Sequence, residues 1–567
     1  MNMKKIILSV MVTSTLMLSA CSDDFLDIKS NDIITGDALS AENLPALVSP
    51  LYNNVWYDFN NNFILAVGDG MSYNMEHNAS YFGDFAHFTF TKSTPTLGPA
   101  WGSLYNVIQS ANKVIITVNS IAADETLKTQ CIAEARFMRG LAYYFLASIW
   151  GDAIISDDPT PLVNDPIVAT NPKKDVYEFA IRDMEFAAKY LPEISSATGR
   201  VNRYSAFGML SRFYLDYSGY VASNYGENPN CGTRDEAYLE LAKKAAEKVI
   251  NSGVFKLMDN YPDLFKIENN NNAESMFAFQ WVPGGNGSGS DPAFYGLTNA
   301  QVSYLAGISV ASAGEAWGAW TNATHDMMLE YDQRDTIRRK ATWMGYGDFY
   351  PELNTAEGGL LIGNDDDGGH NSGHNPGNSC LNVKKGVTGN MKDNSAINQR
   401  NSGLDNYVLR YAEVLLNYAD AVLGNQASTS DAQALEYVNA VRARAVMPAL
   451  SSIDYETLRR ERRVEFCLEG RYWYFLLARA YYQQQEVVNA LNSQNRGLPP
   501  TFLFDAPNNL RADPSRDPQA QAVGTVTPAT LVLPLPESDI LRNPKLDKEQ
   551  YPPVPFTFTE EKITDLF

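Results

Sequence analysis

The stretch Ala133-Glu134-Ala135-Arg136-Phe137-Met138-Arg139-Gly140-Leu141-Ala142-Tyr143-Tyr144, continuing to Trp150-Gly151-Asp152, decides the class of fold. Phe137, Leu141, Tyr144, Phe145, Ser148 and Ile149 recur every three or four positions, which places them on one face of a helix. Gly151 supplies the stop. Immediately upstream, Leu104, Val107, Ile108, Ala111, Val114, Ile115 and Val118 repeat the pattern, so the two stretches form a helical pair.

Further pairs follow on both sides of an interruption. Val176, Phe179, Ala180, Met184, Ala187, Ala188 and Leu191 mark one helix, stopped at Pro192, and Ala206, Met209, Leu210, Phe213 and Tyr217 mark the next. Tyr238, Leu241, Ala242, Ala245 and Val249 predict a third, closed by Asn251-Ser252-Gly253. Val408, Ala412, Leu415, Leu416, Ala419 and Leu423 predict another, paired with Leu435, Val438, Val441 and Ala445, and one more helix is expected between Glu456 and Ala480. Paired helices with small residues on facing stripes suggest a mainly α scaffold of tetratricopeptide-like helical hairpins, which bury one continuous core by stacking. The scaffold is expected over roughly 41–255 and 405–480. A loop-rich second lobe with a few short strands is expected over 256–404 and 481–567, where Gly, Asn, Asp and Pro break the periodicity.

Little in the chain points to catalysis. His370 and His374 are spaced as metal ligands on a helix would be, but they sit among glycines and lack the Glu of an HExxH motif. No Ser occupies a GxSxG elbow, and no GxGxxG follows a strand. Asn364-Asp365-Asp366-Asp367-Gly368 gives Asp365 and Asp367 as weak Ca²⁺ candidates; the alternating spacing and distal Glu of an EF-hand are missing. No cofactor motif is found. The net charge of −21 argues against nucleic acid as a partner. Tyr and Trp are abundant in the aperiodic regions, at Trp56, Tyr57, Tyr73, Tyr81, Trp281, Tyr295, Tyr304, Trp317, Trp320, Trp343, Tyr346 and Tyr350. Aromatic planes stack on the C–H faces of sugar rings while Asp, Asn, Gln and Arg bond the hydroxyls, so a neutral glycan suits such a surface.

Five separated stretches carry a family resemblance. Cys21-Ser22-Asp23-Asp24-Phe25-Leu26-Asp27 is similar to the mature start of the SusD/RagB outer-membrane nutrient-binding lipoproteins, and so is the Ala133–Asp152 stretch. Val408-Leu409-Arg410-Tyr411-Ala412-Glu413-Val414-Leu415-Leu416 resembles the family's "hRYAEhLL" helix, h being apolar. Arg459-Arg460-Glu461-Arg462-Arg463-Val464-Glu465-Phe466 with Glu469-Gly470-Arg471 matches its "ERRxEFxxEGxR" pattern. Leu533-Pro534-Leu535-Pro536-Glu537 with Asn543-Pro544-Lys545-Leu546 looks like its closing piece, although Asp547-Lys548-Glu549 departs from the usual end. Arg410, Glu413, Glu461, Arg462 and Glu465 are read as ion-paired seams between scaffold helices.

The resemblance implies a cell-surface glycan-binding lipoprotein, not an enzyme, that captures an oligosaccharide or polysaccharide and delivers it to a SusC-type TonB-dependent transporter. The alternative is a lid subunit for peptide uptake, or one with little ligand affinity of its own. Residues 1–20 read as a signal peptide: Lys4 and Lys5 precede a run from Ile6 to Leu18 too short to span a bilayer. Leu18-Ser19-Ala20-Cys21 resembles a lipobox, with Cys21 as the lipidated residue, and 21–40 read as a tether, facing the exterior from the outer membrane. Expected glycan-stacking residues are Tyr73, Tyr81, Trp281, Tyr295, Trp317 and Trp320, with Asp69 and Asn74 as hydroxyl partners.

Overall fold

The computed structural model describes residues 40–77, 80–195, 197–282, 297, 299, 301, 321–345, 347–362, 381–398, 401–496, 502–506, 509–512 and 523–567. The signal peptide, Cys21 and its tether, Tyr295, Trp317, Trp320, Asp365, Asp367, His370 and His374 lie outside these residues.

The helical elements used here are α1 (Ser80–Ala86), α2 (Leu97–Ser120), α3 (Glu125–Ile149), α4 (Lys173–Tyr190), α5 (Arg203–Ala222), α6 (Glu236–Ser252), α7 (Thr336–Thr342), α8 (Tyr411–Leu423), α9 (Ala432–Arg444), α10 (Tyr455–Glu465), α11 (Tyr472–Ala480) and α12 (Gln484–Ser493). From α2 to α6 each helix packs on the one before it, and α8 continues the stack against α6 and α9, across the interruption. The expected stripes are the buried ones: Phe137, Leu141, Tyr144 and Ile149 of α3 are at most 1% exposed. Capping agrees with the sequence signals. Asp124 accepts from Thr126 and Leu127 at the start of α3, Asn202 and Ser205 form a capping box on α5, and Gly253, with φ 65°, ends α6. Gly140 lets α3 and α4 close up, because a Cβ there would lie 2.9 Å from the Ala180 carbonyl oxygen.

Several local expectations change. Residues 41–71, expected within the helical scaffold, form short 3₁₀, α and π turns. The single helix expected between Glu456 and Ala480 is two, α10 and α11, because Leu468 and Gly470 take positive φ values of 61° and 68°. Residues 481 onward, expected as loop, begin with α12.

The loop-rich lobe holds short strands. β1 (Met75–His77), β3 (Thr321–Ala323), β4 (Trp343–Met344) and β5 (Asn382–Val383) form a sheet in the order β1-β3-β5-β4, while β2 (Ser275–Phe279) pairs antiparallel with β6 (Asn406–Arg410). The β2–β6 pair lies on α5, where Gly208 makes room for Met276 and Leu409.

Scaffold and lobe are joined by a buried ionic cluster. Arg410, at the end of β6, bonds Glu274 at 2.5 Å, Glu465 at 3.1 Å and Glu469 at 2.7 Å. Arg444 reaches Glu274 and Glu465, and Lys385 reaches Glu469. Arg338 bonds Asp335, Glu461 and Glu465, and Arg442 shares Glu461. Five cations and five carboxylates thus neutralise one another out of water. Burial alone would raise the Glu465 pKa, but Arg444, Arg410 and Arg338 outweigh it and hold the carboxyl at about 2. Glu413 bonds Arg212 at 2.7 Å and Arg462 approaches Asp420 at 3.4 Å, so the motif charges do form seams between helices.

Candidate functional site

The segment from Phe59 to Phe88 packs into the main core through Phe59, Phe63, Met71, Phe82, Phe85 and Phe88. Its base is fixed by Asp69, whose side chain accepts hydrogen bonds from the Leu468 and Gly470 amides at 2.8 and 2.7 Å and from Asn74 Nδ2 at 2.9 Å. Burial raises the Asp69 pKa against the lowering effect of those donors. The fit needs two glycines back to back: a Cβ on Gly68 would fall 2.4 Å from the Gly470 backbone. Arg463 Nε donates to Asn74 Oδ1 at 2.8 Å, and Arg496 stacks between Tyr73 and Phe88 while donating to the Met71 carbonyl at 2.6 Å. Tyr73 itself takes φ 60°, an uncommon backbone for a non-glycine residue, and its hydroxyl donates to Asn495.

β1 follows this base, and α1 begins at Ser80. Antiparallel pairing of β1 with β3 sets His77 opposite Thr321. Thr321 therefore lies beside the end of β1, and α1, to which Tyr81 belongs, begins three residues after His77.

A second support lies under the end of β2 and is built almost entirely from amides. Trp281 Nε1 donates to Asn406 Oδ1 at 2.8 Å, and Asn60 Nδ2 donates to the same oxygen at 3.0 Å. Asn406 Nδ2 donates to Gln301 Oε1 at 2.9 Å, and Gln301 Nε2 to the Asn60 carbonyl at 3.1 Å. Asp405 accepts the Trp281 amide at 3.0 Å, and burial lifts its pKa to about 7. Val282 bonds Leu297, and Asn299 pairs with Ser402. Both ends of the chain between Val282 and Leu297, and the start of the chain after Gln301, are thus tied to this one base.

Four expected ligand contacts turn out to be committed to the protein. Asp69 and Asn74 are fully buried, and the hydrogen bonds just described join them to each other, to the backbone and to Arg463. Tyr73 is 3% exposed beneath Arg496, and Trp281 is 5% exposed, with its ring edge-on to Tyr57 at 6.2 Å. In this structure these residues hold the site up and do not face outward from it. Asn60, Gln301, Asp405 and Asn406 were not singled out in the sequence; loop amides carry no spacing that separates a buried role from a solvated one.

Two family models match: one described as the SusD family, over residues 257–552, and one described as starch-binding, associating with outer membrane, over residues 24–215. A SusD-like protein of Bacteroides ovatus is 35% identical over 574 residues, covering 98% of each chain. The chain belongs to the SusD family. A crystal structure of a protein with xylogluco-oligosaccharide superposes with a TM-score of 0.80 at 35% identity, covering 91% of this chain and 100% of the other. A SusD superfamily protein from Parabacteroides distasonis shares the fold at 20% identity, with a TM-score of 0.63 over 89% of this chain and 98% of its own. This SusD-family chain is mostly helical with few short strands, as its relatives are. Among the described residues, no helix is long and apolar enough to cross a membrane.

Proposed function

We propose that this SusD-family protein captures a neutral oligosaccharide at the outer face of the outer membrane, anchored through lipidated Cys21, and passes it to a TonB-dependent transporter of the SusC type. It acts by binding and not by catalysis. The observation that carries the reading is the 35% identity, over nearly the full chain, to a structure holding a xylogluco-oligosaccharide. The geometry supports it in this respect: Val282, Leu297, Gln301 and Thr321, which flank the stretches with Tyr295, Trp317 and Trp320, are each held by hydrogen bonds or strand pairing, and Tyr81 belongs to α1 just after β1. In this reading those four aromatics stack on sugar rings, and Tyr73, Trp281, Asp69 and Asn74 position them.

The test is titration calorimetry on protein lacking residues 1–21, with xylogluco-oligosaccharide as the first ligand and a panel of neutral oligosaccharides after it. Micromolar to millimolar affinity is expected. Trp317→Ala and Trp320→Ala should each weaken it at least tenfold, with no change in melting temperature. Absence of binding across the panel, or turnover of the glycan by the pure protein, overturns the reading.

A further inference from the structure

Residues 553–567 run without helix or strand along the outside of the scaffold, over a stripe of α4. Asp175, Phe179, Arg182, Phe186 and Lys189 recur every three or four positions and share that face of the helix. The segment follows the stripe in the direction of α4. Val554 N–H donates to the Thr170 carbonyl at 2.8 Å, and the Val554 carbonyl accepts from Asn171 Nδ2 at 2.8 Å. Phe556 N–H donates to Asp175 at 2.8 Å, and its ring meets Phe179 edge-on at 5.6 Å. The Arg182 guanidinium lies over the Phe558 ring, 4.1 Å from its centre, and donates to the Glu560 carbonyl at 2.8 Å. Arg136 of α3, itself stacked on Phe186, bonds the Glu560 carboxylate at 2.6 Å. Lys189 bonds Asp565 at 2.7 Å, and Phe567 packs on α5 against Phe207 and Tyr214, at 5.8 and 6.3 Å.

The segment is held as a peptide ligand is held. Its side chains alternate as an extended chain requires: Phe556 and Phe558 turn to α4 and are half-buried, while Thr557 and Thr559 are exposed. Pro552, Pro553 and Pro555 fix φ and keep the entry extended, so seating it orders little more chain. Arg136, Arg182 and Lys189 concentrate positive charge on this face of a chain whose net charge is −21, and they meet Glu560 and Asp565. The grip is shallow. The Glu560 and Asp565 side chains are 65% and 69% exposed, and ion pairs so open to water hold weakly. Among the described residues, every hydrogen bond from 553–567 to the rest of the chain goes to Arg136 or to residues 170–189. α4 packs on α3 and on α5 through its other faces, so the segment can leave without parting the helices.

We propose that this face of α3, α4 and α5 is a docking groove for an extended peptide segment with aromatic residues at alternate positions and carboxylates downstream, and that residues 553–567 fill it as an exchangeable strap. The occupant it fits is a segment of a partner protein with the chemistry the groove already holds. Stacked helical hairpins offer extended surfaces of this kind for binding. To enter, the partner displaces the strap, which its short tether keeps at a millimolar effective concentration. None of these residues belongs to the candidate glycan site.

The experiment titrates a fluorescein-labelled synthetic peptide of residues 553–567 by fluorescence anisotropy into the full chain, and into a full chain carrying Phe556→Ala and Phe558→Ala, whose own strap is weakened and whose groove is intact. The peptide should bind the double variant with micromolar affinity, about tenfold or more tighter than it binds the parent. Arg182→Met added to the double variant should weaken the peptide about fivefold or more, and a peptide carrying Glu560→Gln should bind several-fold more weakly. Circular dichroism reports whether each variant folds. If the double variant does not fold, hydrogen exchange on the parent decides: the Val554 and Phe556 amides should exchange about 100-fold or more faster than the hydrogen-bonded amides of α4. No peptide binding to the folded double variant, equal affinity for parent and double variant, or strap amides protected as well as those of α4 each overturns the proposal.

Discussion

Two buried polar clusters hold the loop-rich lobe, and they are made of different chemistry. At the scaffold junction, Arg338, Arg410, Arg442, Arg444 and Lys385 face Asp335, Glu274, Glu461, Glu465 and Glu469. Under the loops, Asn60, Gln301, Asn406 and Trp281 exchange neutral hydrogen bonds, and one carboxyl, Asp405, is held near neutrality by burial. Full charges taken out of water tolerate no missing partner, so the junction is a fixed point. Amides lose less when one bond is broken, so the second base can accept changes in the loops it carries.

The comparison breaks first at Arg410. Arg410→Met leaves Glu274, Glu465 and Glu469 short of their shared cation and should cost about 3–5 kcal/mol of stability in chemical denaturation. A loss below about 1 kcal/mol would mean that the cluster relaxes around the gap and the two bases are not different in kind. Asn406→Ala should cost about 1–3 kcal/mol, since Trp281, Asn60 and Gln301 each lose a partner. It should also weaken oligosaccharide binding, because the chains on either side of Leu297 lose their footing.

Acid and base titrations sharpen the contrast further. The Glu465 carboxyl is held at about 2, below its ordinary value, so its contribution is present above pH 4.5 and is lost as pH falls towards 2. Asp405 is the reverse: raised to about 7, it contributes at low pH and its contribution is lost as pH rises from about 4 to 7. Asp405→Asn should therefore remove a decline in stability of up to about 1.4 kcal/mol per pH unit between pH 4 and 7, read from denaturation midpoints, and leave the acid limb alone. The smallest effect belongs to the surface. Glu125→Ala, which removes a partner of Lys128 with 83% of its own side chain in water, should change stability by less than about 0.5 kcal/mol.

The scaffold was legible because bulky apolar residues such as Phe137, Leu141 and Tyr144 recur at helical spacing, even though α3 from Ala133 to Ile149 and α5 from Ser205 to Tyr220 are buried on every face. The break between α10 and α11 was not, since positive φ at Leu468 leaves no mark in the identity of a leucine. For the candidate site the sequence offers side-chain types without their direction. Tyr73, Asp69 and Asn74 have the side chains a sugar would want, but a strained turn sends them inward, where Arg463 and Arg496 use them. The amides of Asn60, Gln301 and Asn406 read as solvated loop because burial is set by the partner strand, hundreds of residues away along the chain.

The pairing of His77 with Thr321 bears on how the chain between Gln301 and Thr321 can vary. Gln301 and Thr321, at the two ends of the intervening stretch, are held by Asn60, Asn406 and His77. Lengthening a chain between fixed ends costs little more than its closure entropy. The frame therefore does not dictate the length of this stretch: a longer or shorter chain between Gln301 and Thr321 leaves both ends where they are.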